Sequence, residues 1–126
     1  MIQIVKDTRP WFFLQTTHST YGMRVMETGH LEHLYYGERI TVDTQDSAFC
    51  APLVIQRGFA PGNTCTYDRE HPQISMEDVC LEVGTLGRGD IREPFLEVKF
   101  TDGSVTSDFT FDSYEVITFK EREQYL

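Results

Sequence analysis

Short runs rich in Val, Ile, Thr, Tyr and Phe recur along this chain between turn-forming residues, while apolar residues almost nowhere repeat at the spacing of a helix face. Such a chain buries its apolar side chains by pairing strands, because period-two alternation sets every second side chain on one face of a sheet. Strands are expected near residues 2–5, 11–15, 19–26, 30–36, 38–43, 48–56, 94–100, 104–111 and 113–120. Many short strands of this kind predict an all-β, antiparallel β-sandwich. With nine Phe and six Tyr in 126 residues, the chain has the apolar material for the core of one domain, or of part of one.

The sharpest local signal lies between residues 94 and 111. Pro94 opens a strand where its missing N–H does least harm, and Leu96, Val98 and Phe100 share one face. Asp102-Gly103 reads as a two-residue hairpin turn, which sets Phe100 against Val105, Val98 against Ser107 and Leu96 against Phe109. The opposite face then pairs Glu97 with Asp108, a like-charge contact that Lys99 offsets from one diagonal step away. Residues 57–79 break the strand pattern with Arg57-Gly58-Phe59-Ala60-Pro61-Gly62-Asn63 and Glu70-His71-Pro72. Loops beyond about 12–15 residues are unusual inside a compact domain and are either functional or surface excursions. Within this one, Ser75-Met76-Glu77-Asp78 has the look of a capping box at the start of a helical turn.

Charge and composition exclude several classes of function. Eleven basic against twenty acidic residues give a net charge of -9, which repels nucleic acid at long range. No window approaches the roughly 20 apolar residues that cross a bilayer, and the first residues lack the layout of a secretion signal, so a cytoplasmic setting without membrane contact is expected. Cys50, Cys65 and Cys80 are odd in number and widely spaced, and they read as reduced, small buried hydrophobes. His30 and His33 fall on opposite faces of a strand and cannot readily share an ion, whereas His30 shares a face with Glu32 and is expected to make a surface hydrogen bond. His18 and His71 stand isolated, and no metal or cofactor site is expected. Trp11-Phe12-Phe13 and Tyr35-Tyr36 are candidate sugar-stacking aromatics, but neighbours on a strand face opposite ways, so half of each cluster belongs to the core. Arg88-Gly89-Asp90 matches an adhesion tripeptide, yet so short a match carries no function by itself, and its charges are read as organising a turn.

Gly87-Arg88-Gly89-Asp90-Ile91-Arg92-Glu93-Pro94, followed by the acidic-Gly hairpin, resembles the amino-terminal region of family 36 glycoside hydrolases, the bacterial α-galactosidases. Phe13-Leu14-Gln15-Thr16, Ser19-Thr20-Tyr21 and Glu27-Thr28-Gly29-His30-Leu31-Glu32-His33-Leu34-Tyr35-Tyr36-Gly37 follow that family's opening strands in order, so the resemblance covers nearly the whole chain. It implies that residues 1–126 are a supersandwich-like amino-terminal region of a longer retaining α-galactosidase acting on terminal α-galactosides. Such a region packs on its own catalytic (β/α)8 barrel and supports a homo-oligomer. It also implies that a loop approaches the sugar pocket of a neighbouring subunit, with Gln56, Arg57, Asp68 and Arg69 at the matching substrate-binding positions; Gln56 stands where many relatives carry an aspartate. A retaining mechanism needs two carboxyl groups about 5–5.5 Å apart. The family's Lys-Trp-Asp-x-Asn-Arg and Ser-Asp-Asn-Thr-Asp motifs that supply them are absent from this sequence, so no catalytic residue is assigned and the chain alone is expected to be inactive. The alternative is a free-standing carbohydrate-binding module, and a ligand-free scaffold is a third reading.

Overall fold

The computed structural model describes residues 1–54, 66–88 and 92–118. Its framework is a four-stranded sheet of β1 (Ile2–Val5), β2 (Trp11–Gln15), β3 (Ser19–Val25) and β4 (Leu31–Glu38), paired in the order β1-β2-β3-β4. Every pairing is antiparallel, so the architecture is the all-β, antiparallel one that the alternation predicts.

The ladder sorts the side chains as the sequence period requires. Phe13 lies opposite Gly22 and Gly22 opposite Tyr35, while on the other face Phe12 lies opposite Met23. Phe13 and Val5 are fully buried and pack with Val42 and Cys50, with Trp11, Ile40, Phe49 and Leu53 around them. Gly22 makes room for this: a Cβ there would stand 3.0 Å from Cε1 of Phe13, so the buried ring would have to give by a few tenths of an ångström. A polar link seats the covering segment. The Gln15 amide donates to the carbonyl of Ile40 at 3.0 Å, the Ile40 N–H donates to the Thr20 hydroxyl at 2.9 Å, and that hydroxyl donates to the Gln15 side chain. Buried Gln15 and Thr20 are thus satisfied by each other and by the backbone they fix. A second cluster of Met26, Met76 and Val79, joined by Tyr67, Ile74 and Leu81, sits beyond the β3–β4 turn.

Several local expectations are corrected. Residues 30–36 and 38–43 do not form two strands: β4 runs through Gly37, which pairs with Thr20, and ends at Glu38. The strand expected at 48–56 is a 3-10 helix, Ser47–Leu53, because the Asp46 side chain accepts from the Ala48 N–H as an N-cap, and a proline, Pro52, lies within. Residues 55–65 lie outside the described residues. The turn expected at Ser75 is present as a 3-10 helix, Met76–Asp78, but without a capping bond from the Ser75 side chain; burial of Met76 and Val79 holds it. No described residue after β4 belongs to an assigned strand; Leu81 makes an isolated bridge to Glu32.

The hairpin at residues 100–104 forms in a different register from the expected one. Phe100 N–H donates to the Ser104 carbonyl at 2.9 Å and Gly103 N–H to the Phe100 carbonyl at 3.0 Å, so Phe100 faces Ser104, not Val105. This is a three-residue loop with a glycine in the left-handed region, and it recurs at the β3–β4 turn: Met26 bonds His30 and Gly29 bonds Met26, both at 2.8 Å. Gly29 and Gly103 have φ of 89° and 90°. Asp102 selects the loop by accepting from the Ser104 N–H at 2.9 Å and its hydroxyl at 2.7 Å, and the same bonds hold its carboxyl below the usual carboxylate range.

Gly103→Val is expected to destabilise the fold by about 1–3 kcal/mol, since a β-branched residue resists positive φ even where no atom lies within 4 Å of the new Cβ. Asp102→Asn keeps the acceptor and should cost less than about 1 kcal/mol. Equal melting temperatures for the two variants would show that the backbone of this turn is not what matters. Phe13→Ala, at a fully buried position, should cost about 3–5 kcal/mol in urea unfolding.

Candidate functional site

Described residues far apart in sequence meet beside the β3–β4 turn. The three-residue loop there turns Thr28 and His30 inward, and His30 is only 2% exposed. His30 Nδ1 lies 2.7 Å from the Thr28 hydroxyl and His30 Nε2 lies 2.6 Å from Oδ1 of Asp108. A carboxylate can only accept, so Nε2 carries a proton toward Asp108. The other carboxylate oxygen accepts from the Tyr67 hydroxyl and lies 3.5 Å from Nε of Arg88. Tyr67 meets His30 edge to face at 4.8 Å, and the Arg88 guanidinium lies over its ring at 4.6 Å. Burial, reinforced by the bond to Asp108 and its charge, pushes the Tyr67 hydroxyl upward, and Arg88 offsets part of that.

Tyr67 opens the part of the irregular segment that carries two of the expected site residues. Its N–H donates to the Ile74 carbonyl at 2.7 Å, which closes residues 67–74 into a loop. Asp68 accepts from the His71 N–H and lies against His71 Nδ1, both at 2.8 Å. Desolvation acts to raise the Asp68 carboxyl, but the His71 contacts together outweigh it and hold the group below its ordinary range. Arg69 is exposed at the turn of this loop. Asp68 and Arg69 are therefore neighbours on one closed loop, whereas Gln56 and Arg57 lie outside the described residues. Asp68, Glu70 and His71 gather their ligand atoms within 4.8 Å, but Asp68 and His71 already satisfy one another.

Other expectations change here. His30 is a buried, doubly bonded residue and not a surface partner of Glu32; Glu32 is buried against Arg24 at 2.8 Å. Asp108 meets His30, Tyr67 and Arg88, which is where its charge is balanced. His71 is paired, not isolated. Arg88 turns onto Tyr67 and Asp108, while Gly89 and Asp90 of the tripeptide lie outside the described residues. Cys50 is buried, with its thiol pushed up to about 11 chiefly by burial, but Cys80 is exposed, and Cys65 lies outside the described residues. Among the described residues no helix is long and apolar enough to cross a membrane.

Both ring nitrogens of His30 and both oxygens of Asp108 are engaged within the protein. The cluster thereby ties the β3–β4 turn to Tyr67 and to the stretch around Asp108. Sequence reasoning missed it because His30 and Asp108 are 78 residues apart, and Tyr67 and Asp108 are 41 apart, with no spacing signal to join them.

The family model of the Glycosyl hydrolase family 36 N-terminal domain matches residues 29–126. The bifunctional alpha-galactosidase/sucrose kinase AgaSK of Mediterraneibacter gnavus is 36% identical over 128 aligned residues, covering 100% of this chain and 13% of that protein. Alpha-galactosidase AgaA of Geobacillus stearothermophilus is 26% identical over 88% of this chain and 14% of its own length. The crystal structure of the alpha-galactosidase from Lactobacillus brevis superposes with a TM-score of 0.76 at 30% identity, over 94% of this chain and 15% of that one. The chain thus spans a small part of the length of these relatives.

Tyr21 on β3 makes a second, part-buried polar contact, with Glu82. Burial first, then the bonds of its hydroxyl to both Glu82 oxygens at 2.7 and 2.6 Å, push Tyr21 up from 10.0 to about 12. A folded value above the unfolded one gives stability that is fully present below pH 10 and is lost as pH rises through about 12. Thermal melts from pH 9 to 12 should therefore fall less steeply for Tyr21→Phe than for the wild type; parallel curves would refute the coupling.

Proposed function

Because the chain belongs to the glycosyl hydrolase family 36 N-terminal domains, we propose that it is the amino-terminal domain, residues 1–126, of a longer retaining α-galactosidase that hydrolyses terminal α-galactosides in the cytoplasm. The match over residues 29–126 carries this reading, together with relatives that are alpha-galactosidases and contain this region as a small part of their length. The domain itself is non-catalytic, since the carboxylate pair of a retaining mechanism would come from the barrel.

Two further roles follow from the surface. On the sheet face opposite Phe13, a groove of about 280 Å³ is bounded by Ile2, Ile4, Phe12, Leu14, Tyr114 and Val116. Ile2, Phe95 and Ile117 are 46%, 76% and 60% exposed, which leaves apolar surface open to a partner. This supports packing against the catalytic barrel and a role in the oligomer. The loop bearing Asp68 and Arg69, with Gln56 and Arg57, then contributes to the sugar pocket of a neighbouring subunit, where an arginine donates to hydroxyls or pairs with a carboxylate.

One observation favours a free-standing carbohydrate-binding module: Tyr36 is 71% exposed with its ring edge-on to Tyr21. Saturable binding of galactosides by the isolated chain, lost in Tyr36→Ala, would select that reading.

The purified 126-residue chain should release no aryl group from an aryl α-galactoside. Turnover abolished by a substitution within the chain would falsify its non-catalytic role. In the full-length enzyme, Arg69→Ala should lower kcat/KM or weaken the oligomer while shifting the melting temperature of the isolated domain very little, since an exposed arginine contributes about 0–1 kcal/mol to folding. Wild-type kinetics and assembly in that variant would remove the loop from the site and leave only the packing role.

A further inference from the structure

The loop with Asp68 and Arg69 meets the rest of the domain at Tyr67 and Ile74. Apolar packing of Tyr67 and Ile74 on Met26, Met76 and Val79 holds the loop against the domain, but such packing is non-directional and allows a ring to slide. Directionality enters at the Tyr67 hydroxyl, which donates to Asp108. Asp108 is itself fixed from the opposite side by buried His30 at 2.6 Å, and His30 by Thr28 at 2.7 Å. Arg88, over the Tyr67 ring at 4.6 Å and 3.5 Å from the same carboxylate oxygen, closes the arrangement. Backbone bonds flank the carboxylate: Ser107 N–H donates to Leu86 at 3.0 Å and Phe111 N–H to Gly29 at 2.7 Å, so the strip carrying Asp108 is itself stitched down on both sides.

We propose that Asp108 is a positioning residue that fixes the Tyr67–His71 segment, and with it Asp68 and Arg69, in the orientation from which they reach the sugar, an inference that rests on the loop reading above. Asp108 touches no substrate; it acts through Tyr67, the residue next to Asp68.

The experiment uses the full-length enzyme with Asp108→Asn, Tyr67→Phe and, as the reference for the loop reading, Arg69→Ala. Hydrogen exchange by mass spectrometry reads the peptide covering residues 66–75, and steady-state kinetics with an aryl α-galactoside read KM and kcat separately. In Asp108→Asn and Tyr67→Phe the peptide should exchange about tenfold faster or more, with peptides of β1 to β3 unchanged, and KM should rise about tenfold with kcat within about twofold. Should Asp108→Asn fail to fold, Tyr67→Phe, which removes a single hydroxyl, carries the test alone. Unchanged exchange overturns the inference, whatever the kinetics. Faster exchange with unchanged KM also overturns it if Arg69→Ala raises KM, because the loop would then work without its clamp. If Arg69→Ala leaves KM and assembly unchanged as well, the loop reading itself has failed and the inference falls with it.

Discussion

A histidine and a tyrosine hydroxyl enclosed together need polar partners, because each unpaired buried polar group costs on the order of 1–3 kcal/mol. Asp108 answers both needs with one carboxylate and draws Arg88 to the same place. In doing so it joins the β3–β4 turn, the loop of residues 67–74 and the stretch around residues 84–88 at one point. The four-stranded sheet is self-sufficient as a ladder. The placement of residues 67–88 rests on this contact, on the Met26 cluster beneath it and on the bonds of Cys80 and Glu82 to β4.

The sheet divides the domain's tasks between its faces. The Phe13 face is closed by a segment that hydrogen-bonds to it through Gln15, Thr20 and Ile40, so apolar burial and polar satisfaction arrive together. The other face keeps an apolar groove that Phe111 and Tyr114 only partly cover by packing on Phe12, at 6.0 and 5.1 Å between ring centres. Closure on one side and openness on the other are what the proposed packing on a catalytic barrel would use.

How much was legible in the sequence follows from the range of each interaction. β1, β2 and β3 could be read nearly to the residue, because a short run of aromatic and branched residues such as Trp11-Phe12-Phe13-Leu14, bounded by turn formers, is a local signal. Gly37 interrupts the run of bulky side chains, yet a glycine paired with Thr20 in a ladder leaves the strand intact. Residues 94–118 alternate as strands do, but alternation supplies a face and not a neighbouring strand, and no ladder is assigned there. The tight turn was placed correctly and miscounted by one residue, since the side chain of Asp102 and not the dipeptide selects the loop. Of the candidate site, Asp68 and Arg69 came from resemblance, whereas His30, Tyr67 and Asp108 acquire their roles only by meeting in space.

The meander order β1-β2-β3-β4 has a temporal meaning. Each strand pairs with its sequence neighbour across a short connection, so the sheet has low contact order and its closure entropy is small. The bond from His30 to Asp108 spans 78 residues and can form only after the distal segment has been made. The short connections leave the ladder free to pair before residue 108 has been made, with the clamp added from behind, an order that pulse-labelling exchange on stalled chains can read. Until Phe111 and Tyr114 have been made, the apolar face lined by Ile2, Ile4 and Leu14 lacks the two rings that partly cover it, so exposed apolar surface is greatest at that stage of synthesis.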